Sequence, residues 1–247
     1  MAALFGDRIL HWGGLPEHAM RLARLDGWFN VVSPASAVQF LQETLALVRT
    51  RDEEARRLWL AVIDWLERVG VNAEPVEAWR VAAMHAGLAE VAYVLRDEAP
   101  SRSLGDEDDG LLAPGHPELS ELTLGEKKAR ARMVGPADLH KFHSEQDPQV
   151  LRILFAHPAM TEGAVVRWLA RRPLVPGVVT ALFASPRWLA APAIQRSLIL
   201  NPWVPGRVAM KLLPLADVQT MREAAAAEDL GAVVRRWAAQ LLRLQRG

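Results

Sequence analysis

Residues 147–214 read DPQVLRILFAHPAMTEGAVVRWLARRPLVPGVVTALFASPRWLAAPAIQRSLILNPWVPGRVAMKLLP, and this stretch decides the fold. X-Pro pairs cut it at Asp147-Pro148, His157-Pro158, Arg172-Pro173, Ser185-Pro186 and Asn201-Pro202. Proline has no backbone N–H and drives its predecessor out of the α region, so each pair is expected to end one helix and set the turn into the next. The segments between are short and apolar, as in Ala164-Val165-Val166-Arg167-Trp168-Leu169. Pro158, Pro173, Pro186 and Pro202 are spaced by 15, 13 and 16 residues, while the alternate spacings are 28 and 29. The steadier second-neighbour spacing points to a helix pair as the unit. A second register agrees: Pro173-Leu-Val-Pro176-Gly-Val and Pro202-Trp-Val-Pro205-Gly-Arg match at the same offsets, and Pro158-Ala-Met-Thr161-Glu-Gly has the same shape with Thr161 as cap. Repetition at this scale predicts an α-helical solenoid, in which each unit buries its face against its neighbours.

Upstream of the array the signals are also helical. Ser33-Pro34 reads as an N-cap followed by a first-turn proline, and Val38, Leu41, Leu45 and Val48 follow at helical spacing. Asp52-Glu53-Glu54 opens the next helix with acid at its positive end. Its stripe is Ala55, Leu58, Trp59, Val62, Leu66 and Val69, with Arg56, Arg57, Asp64 and Glu67 on or near the other face, and Gly70 ends it. Glu74 to about Arg96 reads as one helix, apolar on nearly every side and so the expected centre of this part, with Glu90 partly buried beside Arg80 or His85. The fold class that follows is all-α: a helical bundle over 1–99, an acidic Pro/Gly/Ser linker over 100–121 containing Asp106-Glu107-Asp108-Asp109, and a helical repeat domain over 122–247. The acidic run lacks the glycine and terminal glutamate of a calcium loop.

The chain has 247 residues, 51% apolar and 23% charged, with no cysteine, so disulfides, thiolate metal sites and cysteine catalysis are excluded. No basic, then long apolar, N-terminal pattern occurs, and no apolar run approaches the roughly 18 residues of a membrane span, so a cytoplasmic protein is expected. The net charge of zero conceals a contrast. Residues 1–125 hold 11 Arg against 20 Asp and Glu, a net of −9, and residues 126–247 hold 18 Lys and Arg against 9 Asp and Glu, a net of +9.

The openings Asn201-Pro202-Trp-Val-Pro205 and His157-Pro158-Ala-Met-Thr161, with the helices after them, resemble those of the α-helical repeat families, HEAT-like and most nearly the leucine-rich repeat variant. The strings Leu124-Gly125-Glu126-Lys127, Thr161-Glu162 and Arg171-Arg172-Pro173 are also similar to those of a class of bacterial repeat proteins. The resemblance covers roughly residues 122–240. It implies a solenoid with an extended binding surface. It also implies a second reading, because some HEAT-like bacterial proteins are DNA glycosylases that use tryptophans and one carboxylate on a basic face.

No catalytic constellation is visible. Gly13-Gly14 lacks the spacing and lysine of a phosphate loop, and no Gly-x-Ser-x-Gly elbow occurs. His140, His143 and Asp147 form the best metal-like set but fit no ligand frame, and His157 is expected to bond backbone. No cofactor, metal or catalytic residue is assigned. Trp59, Trp65, Trp79 and Trp237 lie within helical stripes and are expected in the core. Trp188 and Trp203 follow X-Pro turns next to arginines. Packing at the repeat junctions is one reading of them; an exposed aromatic and arginine rim is the other. On the second reading Arg171, Arg172, Arg187, Trp188, Trp203 and Arg207 form a surface for another protein with an acidic face. Nucleic acid is the alternative partner, and self-association of the acidic and basic halves a third.

Overall fold

Helix starts in this protein are set by short polar side chains, as the sequence demands. Ser33 Oγ accepts from Ser36 N–H at 3.2 Å and Asp52 Oδ1 from Ala55 N–H at 2.8 Å. Thr161 Oγ1 accepts from Ala164 N–H at 3.3 Å, and Thr123 and Glu126 form a reciprocal capping box. The computed structural model describes residues 4–70, 72–103 and 116–245. Among these residues all regular structure is helical and no strand occurs, which makes the fold all-α. The acidic run 106–109 lies outside the described residues. The chain divides into two compact units, one of residues 1–99 with 205–247 and one of residues 100–204.

In the first unit, α1 (Gly6–Gly13), α2 (His18–Phe29) and α3 (Pro34–Arg49) surround α4 (Glu53–Val69). Gly13 ends α1 with its Cα against the backbone of Glu54, where a Cβ would overlap the Glu54 carbonyl, so the Gly13-Gly14 pair serves a close helix crossing. Gly70 closes α4 at φ +90°, a value glycine adopts freely. The centre of this unit is α4, which buries Leu58, Trp59, Val62, Ile63, Trp65 and Leu66. It is not the segment after Gly70, because that segment breaks in two: α5 (Glu74–His85) and α6 (Ala89–Val94) flank Gly87 at φ +67°. With the helix broken, α5 buries only Val76, Trp79 and Ala83, and Met84 stays exposed. Glu90 pairs with Arg49 of α3, and Arg80 pairs with Glu77 instead.

Residues 205–247 belong to this unit and not, as their repeat register implies, with 122–204. They comprise, among other elements, α13 (Gly206–Leu212), α14 (Val218–Ala226) and α15 (Ala232–Leu244). Gly206 and Arg207 N–H donate to Ala99 and Glu98 carbonyls at 3.1 and 3.0 Å. Trp59 Nε1 donates to the Lys211 carbonyl at 2.8 Å, and the Tyr93 ring stacks on Trp237 at 4.8 Å. Counted by unit, the first carries 17 Lys and Arg against 18 Asp and Glu, and the second 12 against 11. The −9/+9 contrast along the sequence thus becomes −1 and +1.

The second unit holds α7 (Pro117–Ser120), α8 (Leu124–Met133), a 3-10 segment over Pro136–Ser144, α9 (Pro148–Ala156), α10 (Glu162–Leu169), α11 (Pro176–Phe183), a 3-10 turn over Pro186–Trp188 and α12 (Pro192–Ile199). Pro148, Pro176, Pro186 and Pro192 open helical elements, while Pro158, Pro173 and Pro202 lie in the connections before the next one. The helix α9 packs on α11 and α10 on α12, so second neighbours meet, in keeping with the steadier 28- and 29-residue spacing. Gly177 permits close approach at the start of α11, since a Cβ there would meet the Gln146 carbonyl at 2.9 Å.

Candidate interaction surface

The second unit is closed at its junctions by side chains that reach back to helix ends. A helix leaves its last carbonyls without intrahelical donors. Arg187 Nη2 donates to the Phe155 and His157 carbonyls at the end of α9, at 2.9 and 3.0 Å. Asn201 Nδ2 donates to the Leu169 and Arg171 carbonyls at the end of α10, at 2.7 and 2.9 Å. In both cases the partners lie 32 and 30 residues back. One junction is therefore built twice, with a guanidinium in the first copy and an amide in the second. Trp188 Nε1 reinforces the first copy with a 2.8 Å bond to the Phe155 carbonyl, under the Arg187 guanidinium, which lies 4.4 Å from its ring centroid. Arg172 Nη2 donates to the Leu200 carbonyl at 3.0 Å.

These bonds decide where the expected contact residues fall. Trp188 is 8% exposed and its polar atom is satisfied, so it packs a junction and presents no face. Arg187 is exposed but anchored to two carbonyls. Arg207 does not join the set: it lies in the other unit, 3.4 Å from Glu67 and 3.6 Å from Asp97. Trp203 is half-buried, with the exposed Arg102 guanidinium 5.4 Å from its ring centroid. Arg171 and Arg172 remain side by side after α10, half-buried and exposed respectively. Trp59, Trp65, Trp79 and Trp237 are all buried. His157 Nδ1 accepts from Ala159 N–H at 3.2 Å, the backbone bond its position predicts.

Near Arg171 stand Arg167, which the sequence did not single out, and His140 and His143, which it offered only as a metal-like set. Arg167 lies one helical turn before Arg171, and the 3-10 segment Pro136–Ser144 presents His140 and His143 to the same place. The His143 ring meets Trp168 edge-on at 4.7 Å. Burial first, then the charges of Arg171, Arg167 and His140, hold the His143 imidazole below its ordinary pKa. Burial alone lowers the Arg171 guanidinium, with no acidic group offsetting it. Elsewhere in this unit three cations are matched by acids: Arg130 and Lys141 pair with Glu118, and Lys127 pairs with Glu145. Among the described residues no carboxylate pairs with Arg167 or Arg171. The i, i+4 spacing of the two arginines was legible; the return of the two histidines to the same end of α10 was not. Among the described residues no group of three or more His, Asp or Glu could hold a metal, so His140, His143 and Asp147 do not converge as ligands.

The first unit has a different polar centre. Lys211 on α13 is 0% exposed and its Nζ donates to Glu67 Oε1 on α4 at 2.6 Å. Burial lowers its pKa and Glu67 opposes that shift. Asp64, at 1% exposed, accepts from Arg68 Nε and Nη2 at 2.8 Å and lies 2.9 Å from His18 Nε2. Burial would raise its carboxyl, but the His18 and Arg68 bonds prevail and hold it below the usual range. No nucleophile accompanies either pair, and both join separate helices. The same unit has an open cavity of about 560 Å³ beside α5 and α6, lined by Glu77, Arg80, Met84, Tyr93, Arg96 and Asp97. No family model, curated protein or solved structure matches the chain. Among the described residues no helix is long and apolar enough to cross a membrane.

Proposed function

We propose that this protein is a non-enzymatic interaction module whose helical repeats dock an acidic protein surface. The repeats form a short solenoid of the HEAT-like or leucine-rich-repeat-variant kind, and the docking point is the end of α10. One observation carries the reading: Arg171 is half-buried near the His143 imidazole, which Arg167 and His140 also neighbour, with no carboxylate partner among the described residues. Partly desolvated charges of one sign raise the local potential and are relieved by an incoming anion. A carboxylate ligand fits the guanidinium fork and places its charge beside Arg171 and Arg167, with the two imidazoles as hydrogen-bonding neighbours.

The working residues are Arg167, Arg171 and Arg172, with Arg102 and Trp203 as a second contact. Arg187 and Trp188 hold the junction beneath, and Arg207 plays no part in the surface. A local cluster is favoured over a global field because the two units carry net charges of only −1 and +1. Fluorescence anisotropy with labelled poly-glutamate and with a labelled DNA duplex tests the proposal. The acidic polypeptide is expected to bind wild-type protein and to lose at least ten-fold in affinity with Arg167→Glu/Arg171→Glu. Tighter binding to the duplex, with a steep salt slope, would favour the nucleic-acid reading instead.

A further inference from the structure

The N-terminal helix α1 and the end of α2 build an aromatic enclosure that the interaction reading does not use. Phe5, Arg8 and Trp12 follow one another at helical spacing on one face of α1, and Trp28 approaches from α2. The Arg8 guanidinium carbon lies 5.6 Å from the Phe5 ring centroid, 5.5 Å from that of Trp12 and 5.2 Å from that of Trp28. The walls are steeply inclined: Phe5 meets Trp28 at 66° and Trp12 meets Trp28 at 75°. Phe40 of α3, fully buried, forms the base, with its centroid 4.9 Å from Trp28 and 5.9 Å from both Phe5 and Trp12. Glu43 fastens the rim by accepting from Leu4 and Phe5 N–H at 3.0 and 2.7 Å.

The shape suits a different cation from the one it holds. A guanidinium is planar and gains most by close stacking on one ring, and Arg187 lies 4.4 Å from the Trp188 centroid. Arg8 instead stands nearly equidistant from three faces, at longer range from each. Walls inclined by 66° and 75° present their negative faces to one point, which matches a near-spherical cation better than a flat one. Phe5, Trp12 and Trp28 are each partly exposed, and Arg8 is exposed, so the enclosure opens to solvent. Among the described residues no carboxylate pairs with Arg8, so little beyond the rings retains it.

We propose that Phe5, Trp12, Trp28 and Phe40 form a binding site for a quaternary ammonium group, with Arg8 as a tethered competitor that an incoming ligand displaces. The group is either a free choline-type compound or a trimethylated lysine in a peptide. Tryptophan fluorescence reports occupancy directly. Tetramethylammonium is expected to bind Arg8→Ala roughly ten-fold tighter than wild type, the factor imposed by a competitor held by about 1.4 kcal/mol. Tighter binding of choline than of a trimethyl-lysine peptide would assign the free compound, and the reverse order the peptide. Trp28→Ala in the Arg8→Ala background should abolish the response, with circular dichroism checking the fold. The uncharged choline isostere 3,3-dimethylbutan-1-ol, tested on the folded Arg8→Ala protein, separates a cation site from an apolar patch. Equal binding of isostere and choline, or no tetramethylammonium response in Arg8→Ala, would overturn the proposal.

Discussion

The two units differ in what meets their buried charges. In the first, Lys211 meets Glu67 of another helix, and Asp64 meets His18 of α2 and Arg68 of its own helix, while the buried Arg21 donates to the Leu15 carbonyl. In the second, neutral carbonyls take the junction donors Arg187, Trp188 and Asn201, Glu145 pairs with Lys127, and the half-buried Arg171 has no carboxylate partner among the described residues. The Lys211–Glu67, His18–Asp64 and Arg49–Glu90 pairs join sequence-distant segments of the first unit and help define which segments belong together. The α10 end does the reverse: its charge is unmatched within the described chain and is available to something outside it. On the proposed function, the difference separates charge used in folding from charge left for recognition.

The largest effect that could break this contrast is expected at Lys211. Lys211→Ala leaves the partly buried Glu67 with only Arg207, at 3.4 Å, and should cost about 3 kcal/mol in chemical denaturation, whereas Lys211→Met, which fills the same space, should cost less when combined with Glu67→Gln. An exposed-residue effect, below about 0.5 kcal/mol, would show that the pair does not anchor residues 205–247. Next in size is the duplicated junction. Asn201→Ala removes two bonds to the end of α10 and should destabilise the protein by about 1–3 kcal/mol, while Asn201→Arg, which imitates the first copy, should recover part of that loss. No recovery would mean that the two junctions are not equivalent.

Two pH profiles sharpen the comparison further. Asp64 is held below its ordinary carboxyl range by His18 and Arg68, so its contribution to stability is complete above about pH 4 and disappears as pH falls through its lower folded value. Asp64→Asn should remove that acid-side dependence, seen by melting temperature between pH 2 and pH 6. His143 behaves differently. Its folded pKa lies below the ordinary value, so the unfolded chain takes up its proton first on acidification and stability falls as pH drops from about 6.5 through the folded value. An acidic ligand at the cluster stabilises the imidazolium, so affinity for poly-glutamate should rise over the same interval, by a few-fold. His143→Gln should flatten both trends.

Much of the helical framework was legible. Ser33, Asp52 and Thr161 each announce a helix start by side-chain chemistry, and the stripe from Ala55 to Val69 is buried except at Val69, which is exposed at the helix end. The spacing of the X-Pro pairs foreshadowed second-neighbour packing. What escaped reading depends on distant partners. The segment from Glu74 to Arg96 looks continuous because its composition hides the left-handed Gly87. Asp64 looks like a surface residue of α4 because its partner His18 is 46 residues away. Residues 205–247 keep the repeat register yet pack with 1–99, because Lys211 and Trp237 find their partners there. The basic surface was partly anticipated through Arg171 and Arg172. Of the two readings of Trp188, junction packing fits its buried place, and Arg187, though exposed, donates to helix-end carbonyls.

The most direct test of the central claim is the binding of labelled poly-glutamate to wild-type protein and to Arg167→Glu/Arg171→Glu, with melting temperature recorded on both. The account predicts at least a ten-fold loss of affinity with a stability change within about 0.5 kcal/mol, because these arginines have no internal partner to lose. Equal affinity in the two proteins, or an unfolded variant, would contradict it.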